Sequence, residues 1–147
     1  MLNKQSEKIV NFYWFLGLAQ VVHSMEETYT NLYDYFAVMS EALHNIIHWI
    51  PVFGISADWF AILNYLMIAL ILGSVPSVEK GSGWSFYLMW TWAIVEFLNG
   101  IFHLSMWFIK GSYFPGGISG PILFVLSILF IQQLINASNK ETAQLSS

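Results

Sequence analysis

Four stretches of this chain, residues 9–28, 57–75, 84–108 and 118–135, are long and apolar enough to be helices that cross a bilayer. A hydrocarbon core about 30 Å thick takes roughly 20 helical residues, and it admits only backbone whose N–H and C=O groups are bonded within the segment. The expected fold is therefore all-α: a polytopic membrane protein with four transmembrane helices. Only 10% of the residues are charged and 56% are hydrophobic, whereas soluble domains carry about 25% charge. The breaks between spans are marked by Pro51 and Gly54, by Pro76 with Lys80–Gly83, and by Pro115, Gly116 and Gly117.

Residues 31–54 are also apolar, yet Asp34, Glu41, His44, Asn45 and His48 crowd one helical length. Spanning there would strand too many polar groups in hydrocarbon. Met39, Leu43, Ile46, Ile47 and Ile50 recur at helical spacing, while Asp34, Glu41 and His48 share another face. This pattern predicts an interfacial amphipathic helix over about 33–50, lying on the bilayer or folded back against the bundle. Lys4, Lys8, Lys80 and Lys140 then fall on one side of four spans and Lys110 on the other. The excess predicts both termini in the cytoplasm of a multi-pass cell-membrane protein. The whole of 1–147 reads as one domain with a flexible tail from about 138. The first stretch lacks a small-residue cleavage site and reads as a retained span.

Composition also excludes whole classes. The chain has 5 basic residues and a net charge of −4, which offers no footprint for nucleic acid. With 0 cysteines, thiolate ligands and thiol nucleophiles are ruled out, so any metal would be held by nitrogen and oxygen donors.

Ionisable groups inside spans point to function, because each costs on the order of 3 kcal/mol to insert. Glu96 lies roughly 18 Å along its helix at ~1.5 Å per residue, too deep to reach water. Asn99 and His103 follow on the same stripe. On the first helix His23, Glu26 and Glu27 stand at i, i+3 and i+4, with Gln20 on the His23 and Glu27 stripe. Both helices run outward, so the two groups occupy the same outer half, as does the connection carrying Tyr113. Taken singly, each has a plainer role: Asn99 as a helix–helix bond, His103 as an interface residue, Glu26 and Glu27 as solvated end groups. The aromatic residues Trp90, Trp92, Phe97 and Phe102 are, by the same measure, mostly packing.

The strings HSMEE (His23, Glu26, Glu27), NGIFH (Asn99, His103) and YFPG (Tyr113, Pro115, Gly116) resemble, in order, the signature motifs of the HXXEE-domain family of small bacterial and archaeal membrane proteins. The resemblance covers most of the chain and implies a membrane domain with these characteristic residues. It brings no biochemical activity with it.

Two imidazoles and several carboxylates suit zinc, iron or manganese. The metal ligands expected are His23, Glu26, Glu27 and His103, with Glu96, Asn99 and Tyr113 as catalytic groups. Helix-borne Glu and His at this spacing resembles di-metal bundle sites, but only two helices contribute, which favours a mononuclear centre. Without metal the same groups could run acid–base chemistry. The leading expectation is a metal-dependent or acid–base enzyme acting on a small or lipid-soluble substrate, with the bilayer as its solvent and a homo-oligomer allowed. Ion or proton transport is the alternative, although the inner halves offer only Asn11, Asn64, Thr91, Gln132 and Gln133. Haem ligation by His23 and His103, or a structural role, ranks lower. Glu41, His44 and His48 have ligand spacing of their own, and their helix could cover the outer site as a lid.

Overall fold

A computed structural model describes the backbone of residues 4–145, and every regular element among them is helical. The order is α1 (Lys4–Tyr29), a 3₁₀ turn (Leu32–Tyr35), α2 (Phe36–Ile46), α3 (Ala57–Glu79), α4 (Ser85–Lys110) and α5 (Ser119–Leu145). The four long helices form a ring in which α5 packs on α4 and α1, α1 on α3, and α3 on α4. Tyr13 bonds Ser74 at 2.6 Å and Trp14 reaches Glu79, so the start of α1 meets the end of α3. Ser24 meets Asn64 at the other end of the same pair. Helices α1 and α3 are therefore antiparallel, as the short α3–α4 and α4–α5 connections require of their own pairs.

Among the described residues three helices, not four, are long and apolar enough to cross a membrane: α3, α4 and α5 over Ser119–Asn139. This composition is consistent with a membrane protein. At 26 residues α1 has the length but not the composition, and burial shows why. Its polar residues Gln20, His23, Ser24 and Glu27 all face the bundle interior, while Phe15, Leu18, Val22 and Met25 face outward and are exposed. Over this second half the helix is apolar on the outside and polar on the inside, the reverse of a water-soluble surface helix, whereas nearer its start Glu7, Lys8 and Asn11 are exposed and Tyr13 and Leu16 buried.

Several boundaries differ from the sequence reading: α1 is already helical at Lys4 and α4 runs to Lys110, and three further differences have plain causes. The helix expected over 33–50 is a 3₁₀ turn plus an eleven-residue α2 that stops at Ile46. Asn31 enters it in the left-handed conformation (φ 59°), and Pro51 disfavours helix in the residues before it. Helix α3 runs through Pro76 to Glu79 instead of ending at 75; this far along, the missing N–H removes only one bond from the last turn. The tail expected from 138 continues as helix to Leu145, in keeping with the helix-forming Glu141, Ala143, Gln144 and Leu145.

One apolar core, centred on Tyr13, Leu16, Ile71, Trp92, Ala93 and Phe130, fills the half of the bundle that holds the start of α1. A smaller cluster of Leu32, Phe60 and Phe114, flanked by Phe36 and Met39, caps the other end beneath the 3₁₀ turn and α2. This segment is thus folded back on the bundle at its beginning. Its far end, with Ile46 and Trp49, is exposed. Between the two apolar clusters lies a layer of buried polar side chains.

Candidate metal centre

His23 and Glu27 lie one helical turn apart on α1, so both project to the same side. Their neighbour across the bundle is His103, one turn past Asn99 on α4. His23 and His103 are fully buried and Glu27 nearly so. Glu27 Oε1 stands 3.1 Å from His23 Nε2 and 2.9 Å from His103 Nε2. Among the described residues these three make the one group able to hold a metal ion, with donor atoms all within 4.8 Å of one another.

The outer nitrogens of the two rings decide what the inner ones can do. His103 Nδ1 lies 2.7 Å from the Pro115 carbonyl. A carbonyl only accepts, so Nδ1 carries the proton. His23 Nδ1 lies 2.7 Å from Ser119 Oγ, and Ser119 gives its single hydroxyl proton to Glu26 in a short hydrogen bond. Ser119 can therefore only accept from His23, and here too Nδ1 is the protonated nitrogen. Both Nε2 atoms face the Glu27 carboxylate, and His103 Nε2 lies at hydrogen-bond distance from Oε1, 2.9 Å, as a donor when the ring carries a second proton and as an open lone pair when it does not.

Where the rings carry only their Nδ1 protons, three acceptors face one another in a buried space. His23 Nε2 makes no hydrogen bond, because its approach to Glu27 is off-axis despite the 3.1 Å separation. Such a constellation is repulsive unless positive charge lies within it, supplied by a second proton on the rings or by a cation. Two ligands about 2.05 Å from a zinc ion at the tetrahedral angle would be about 3.3 Å apart. The two spacings from Glu27 Oε1, 3.1 and 2.9 Å, are close to that value, and all three donor atoms lie within 4.8 Å of one another. The carbonyl and hydroxyl behind the imidazoles are the kind of partners that fix ligand histidines in metal sites.

Glu26, expected as a ligand, is instead turned toward the start of α5. It accepts from Tyr113 at 2.6 Å, from Ile118 N at 3.0 Å, from Ser119 N at 2.7 Å and from the Ser119 hydroxyl. It is the anion at a helix N-terminus, where backbone donors and the helix dipole favour negative charge. Tyr113 serves Glu26 and does not enter the cluster. Partial burial and the Glu26 carboxylate hold its phenol above the ordinary range, so it remains a donor. Glu96 is fully buried beside the cluster. With its amide nitrogen assigned toward that carboxylate, Gln20 donates to Glu96 at 2.8 Å, and its oxygen faces Ser24. Asn99 lines the cavity next to Glu27 and His103.

Sequence reasoning missed Ser119, the Pro115 carbonyl and the placement of Asn64. A backbone acceptor has no residue-type signature, and Ser119 is one small residue in a turn. Asn64, assigned to the inner half, is buried near the start of α3, where Ser24 donates to it at 2.7 Å. Glu41, His44 and His48 do not assemble into a ligand group. His44 Nδ1 bonds the Ile50 carbonyl at 2.7 Å, and His48 Nδ1 the His44 carbonyl at 3.1 Å.

Gly116 makes the enclosure possible. It has φ +77°, and a Cβ there would lie 2.5 Å from the His103 ring and 2.9 Å from the His23 ring. Gly111 also has positive φ, but its Cβ would meet open space. Alanine at Gly111 is therefore expected to cost about 1 kcal/mol, the conformational term alone. Alanine at Gly116 should cost several-fold more and lower the melting temperature in detergent well beyond the Gly111 variant. Equal shifts for the two would show that the imidazoles do not pack on this loop.

Fold and site together define a helical bundle of membrane-type composition with a buried two-histidine, one-carboxylate cluster near one end. The chain belongs to the family described as "Protein of unknown function with HXXEE motif", which matches residues 14–131. No curated protein and no solved structure matches it.

Proposed function

We propose that this protein is a membrane-embedded metalloenzyme whose His23, Glu27 and His103 hold one divalent ion, with zinc, iron or manganese suited by donor type. The observation that carries the reading is the pair of Nδ1 contacts: both rings are held from outside, so that both Nε2 atoms and Glu27 Oε1 are turned inward within 4.8 Å of one another. Three protein ligands with a remaining open position is the pattern of catalytic sites. Glu27 and His103 border a largely apolar cavity of about 390 Å³, which gives that position somewhere to face. A metal held there supplies Lewis-acid chemistry. Asn99 borders the cavity and can orient a substrate, while Glu96, fully buried and bonded by Gln20, can hold a proton. Glu26, Ser119 and Tyr113 are positioning residues behind His23.

Two features weigh against the other readings. The His23 and His103 ring centroids are 4.5 Å apart and nearly perpendicular, which leaves no slot for a porphyrin between them. Below Glu96 the bundle closes with Tyr13, Leu16, Trp92, Ala93 and Phe130, an unfavourable lining for an ion conduit through one chain. Acid–base chemistry with two imidazolium rings and no metal is the reading that elemental analysis separates. Protein purified without chelators and supplied with trace metals should carry about one ion per chain, a single mononuclear site. Less than a tenth of that would overturn the metal reading.

In this reading α1 is a fourth crossing, because from Phe15 to Met25 its outward residues are apolar while Gln20, His23 and Ser24 face inward. Four crossings place the N-terminus and the α3–α4 turn on one side, cytoplasmic by the lysine distribution. An N-terminal reporter and a single cysteine at Ser82 should then report the same face, and the opposite face for a cysteine at Ser112. If the N-terminus and Ser82 lie on opposite faces, α1 does not cross.

A further inference from the structure

We propose that the cavity beside the cluster binds a single-chain, lipid-soluble alcohol, with its hydroxyl at the Glu27 and His103 wall and its chain along the seam between α3 and α4. The inference deepens the reading of the cluster as a metal centre and rests on it for what the hydroxyl meets. The cavity is about 390 Å³. An apolar cavity of about 150 Å³ holds one benzene, so this one suits roughly fifteen carbons. Its polar groups are Glu27, His103, Asn64 and Asn99, and the rest of its lining is apolar, including Leu63, Met67, Val95 and Phe102.

The seam continues past that cavity. A second cavity of about 480 Å³ is bordered by Leu70, Ser74, Leu88 and Trp92. Positions 63, 67, 70 and 74 form one stripe of α3, and 88, 92, 95, 99 and 102 one stripe of α4. The two cavities therefore follow one another along the same pair of helices, over about 16 Å at 1.5 Å per residue from position 63 to 74. Of the four neighbouring helix pairs in the ring, α3 and α4 are the most loosely packed. Both are apolar enough to cross a membrane, so the seam opens toward hydrocarbon and is reached from the side.

The polar wall selects the head group. Its side chains are Glu27, His103, Asn64 and Asn99, with no lysine or arginine to pair with an anionic head, and Lys110, at this end of the bundle, is occupied by the Tyr35 hydroxyl and the Tyr113 carbonyl. An uncharged hydroxyl can donate to an amide or carboxylate oxygen and still offer its own oxygen to a cation. A phospholipid head is too large for a wall of four side chains.

The test uses the full chain in detergent with a diazirine-bearing hexadecanol, photolysis and peptide mass spectrometry, with metal content measured on the same samples. The expected result is labelling confined to the stretches around 60–74 and 88–102, displaced by unlabelled hexadecanol. Val95→Trp should reduce labelling at least ten-fold at wild-type metal content. Met67→Phe, a milder filling of the same space, should reduce it several-fold and covers the case in which the tryptophan variant does not fold. Labelling spread over all outward helix faces, or unmoved by competitor and by both variants, overturns the proposal. So does equal labelling by the corresponding diazirine fatty acid. Confined labelling in metal-free protein overturns the metal reading and leaves the pocket standing. One bound metal with no confined labelling does the reverse.

Discussion

Replacing His103 with alanine is expected to empty the centre. Metal content should fall from about one ion per chain to below a tenth, because removing a ligand costs more than the 10–100-fold in affinity typical of removing a supporting group. The fold should persist in part. The His103 ring hydrogen-bonds the Pro115 carbonyl and Glu27, and its loss opens a space that Gly116 and, in the first turn of α5, Gly120 border closely. A fall in melting temperature is therefore expected alongside the loss of metal. The two effects separate when excess metal is added: it should raise the melting temperature of the wild type, because a ligand bound only to the folded state stabilises it, and leave the variant unmoved. A variant that still binds one ion with wild-type affinity would remove His103 from the centre.

The second large effect belongs to a residue outside the cluster. Glu26→Gln keeps the size of the side chain but removes the charge that accepts two backbone amides, the Tyr113 phenol and the Ser119 hydroxyl. An amide cannot accept at both of its atoms, so at least one donor of the α5 N-terminus is left unpaired. Stability should drop by about 2–3 kcal/mol, the usual consequence of breaking charge-assisted bonds in a partly buried site. A second consequence is specific to the chain of bonds from Glu26 through Ser119 to His23. With the Ser119 proton no longer drawn to Glu26, the hydroxyl can donate to His23, and the ring loses its fixed tautomer. Metal affinity should fall roughly 10–100-fold. Ser119→Ala should reproduce the affinity loss with a smaller stability loss, since Glu26 keeps its backbone partners. An affinity unchanged in both variants would detach this relay from the centre.

Much of this arrangement was legible in the residues themselves. Apolar length located α3, α4 and α5, and the i, i+4 spacing of His23 and Glu27 with a second histidine on another helix located the cluster. The division of labour between Glu26 and Glu27 was not. Adjacent residues on a helix point about 100° apart, so only one of the pair can face a given neighbour. Which one does so is set by the rotation of α1, fixed in turn by Tyr13, Leu16 and Gln20 packing inward. Glu96 reads from sequence as part of the same centre. It lies one step away, held by Gln20, because His103, two turns further along α4, is what reaches Glu27. The break in the 33–50 segment was hidden for a different reason. Its apolar spacing is helical throughout, and only the backbone at Asn31 and the approach to Pro51 shorten it.

X-ray absorption at the edge of the bound metal, measured on the wild type in detergent, tests most directly whether these three side chains share one cation. The predicted spectrum has a first shell of light donors, with the outer-shell scattering of two imidazoles, and the His103→Ala sample gives no comparable signal. A metal bound without imidazole scattering, or a spectrum identical in wild type and variant, would contradict the assignment of His23, Glu27 and His103 as its ligands.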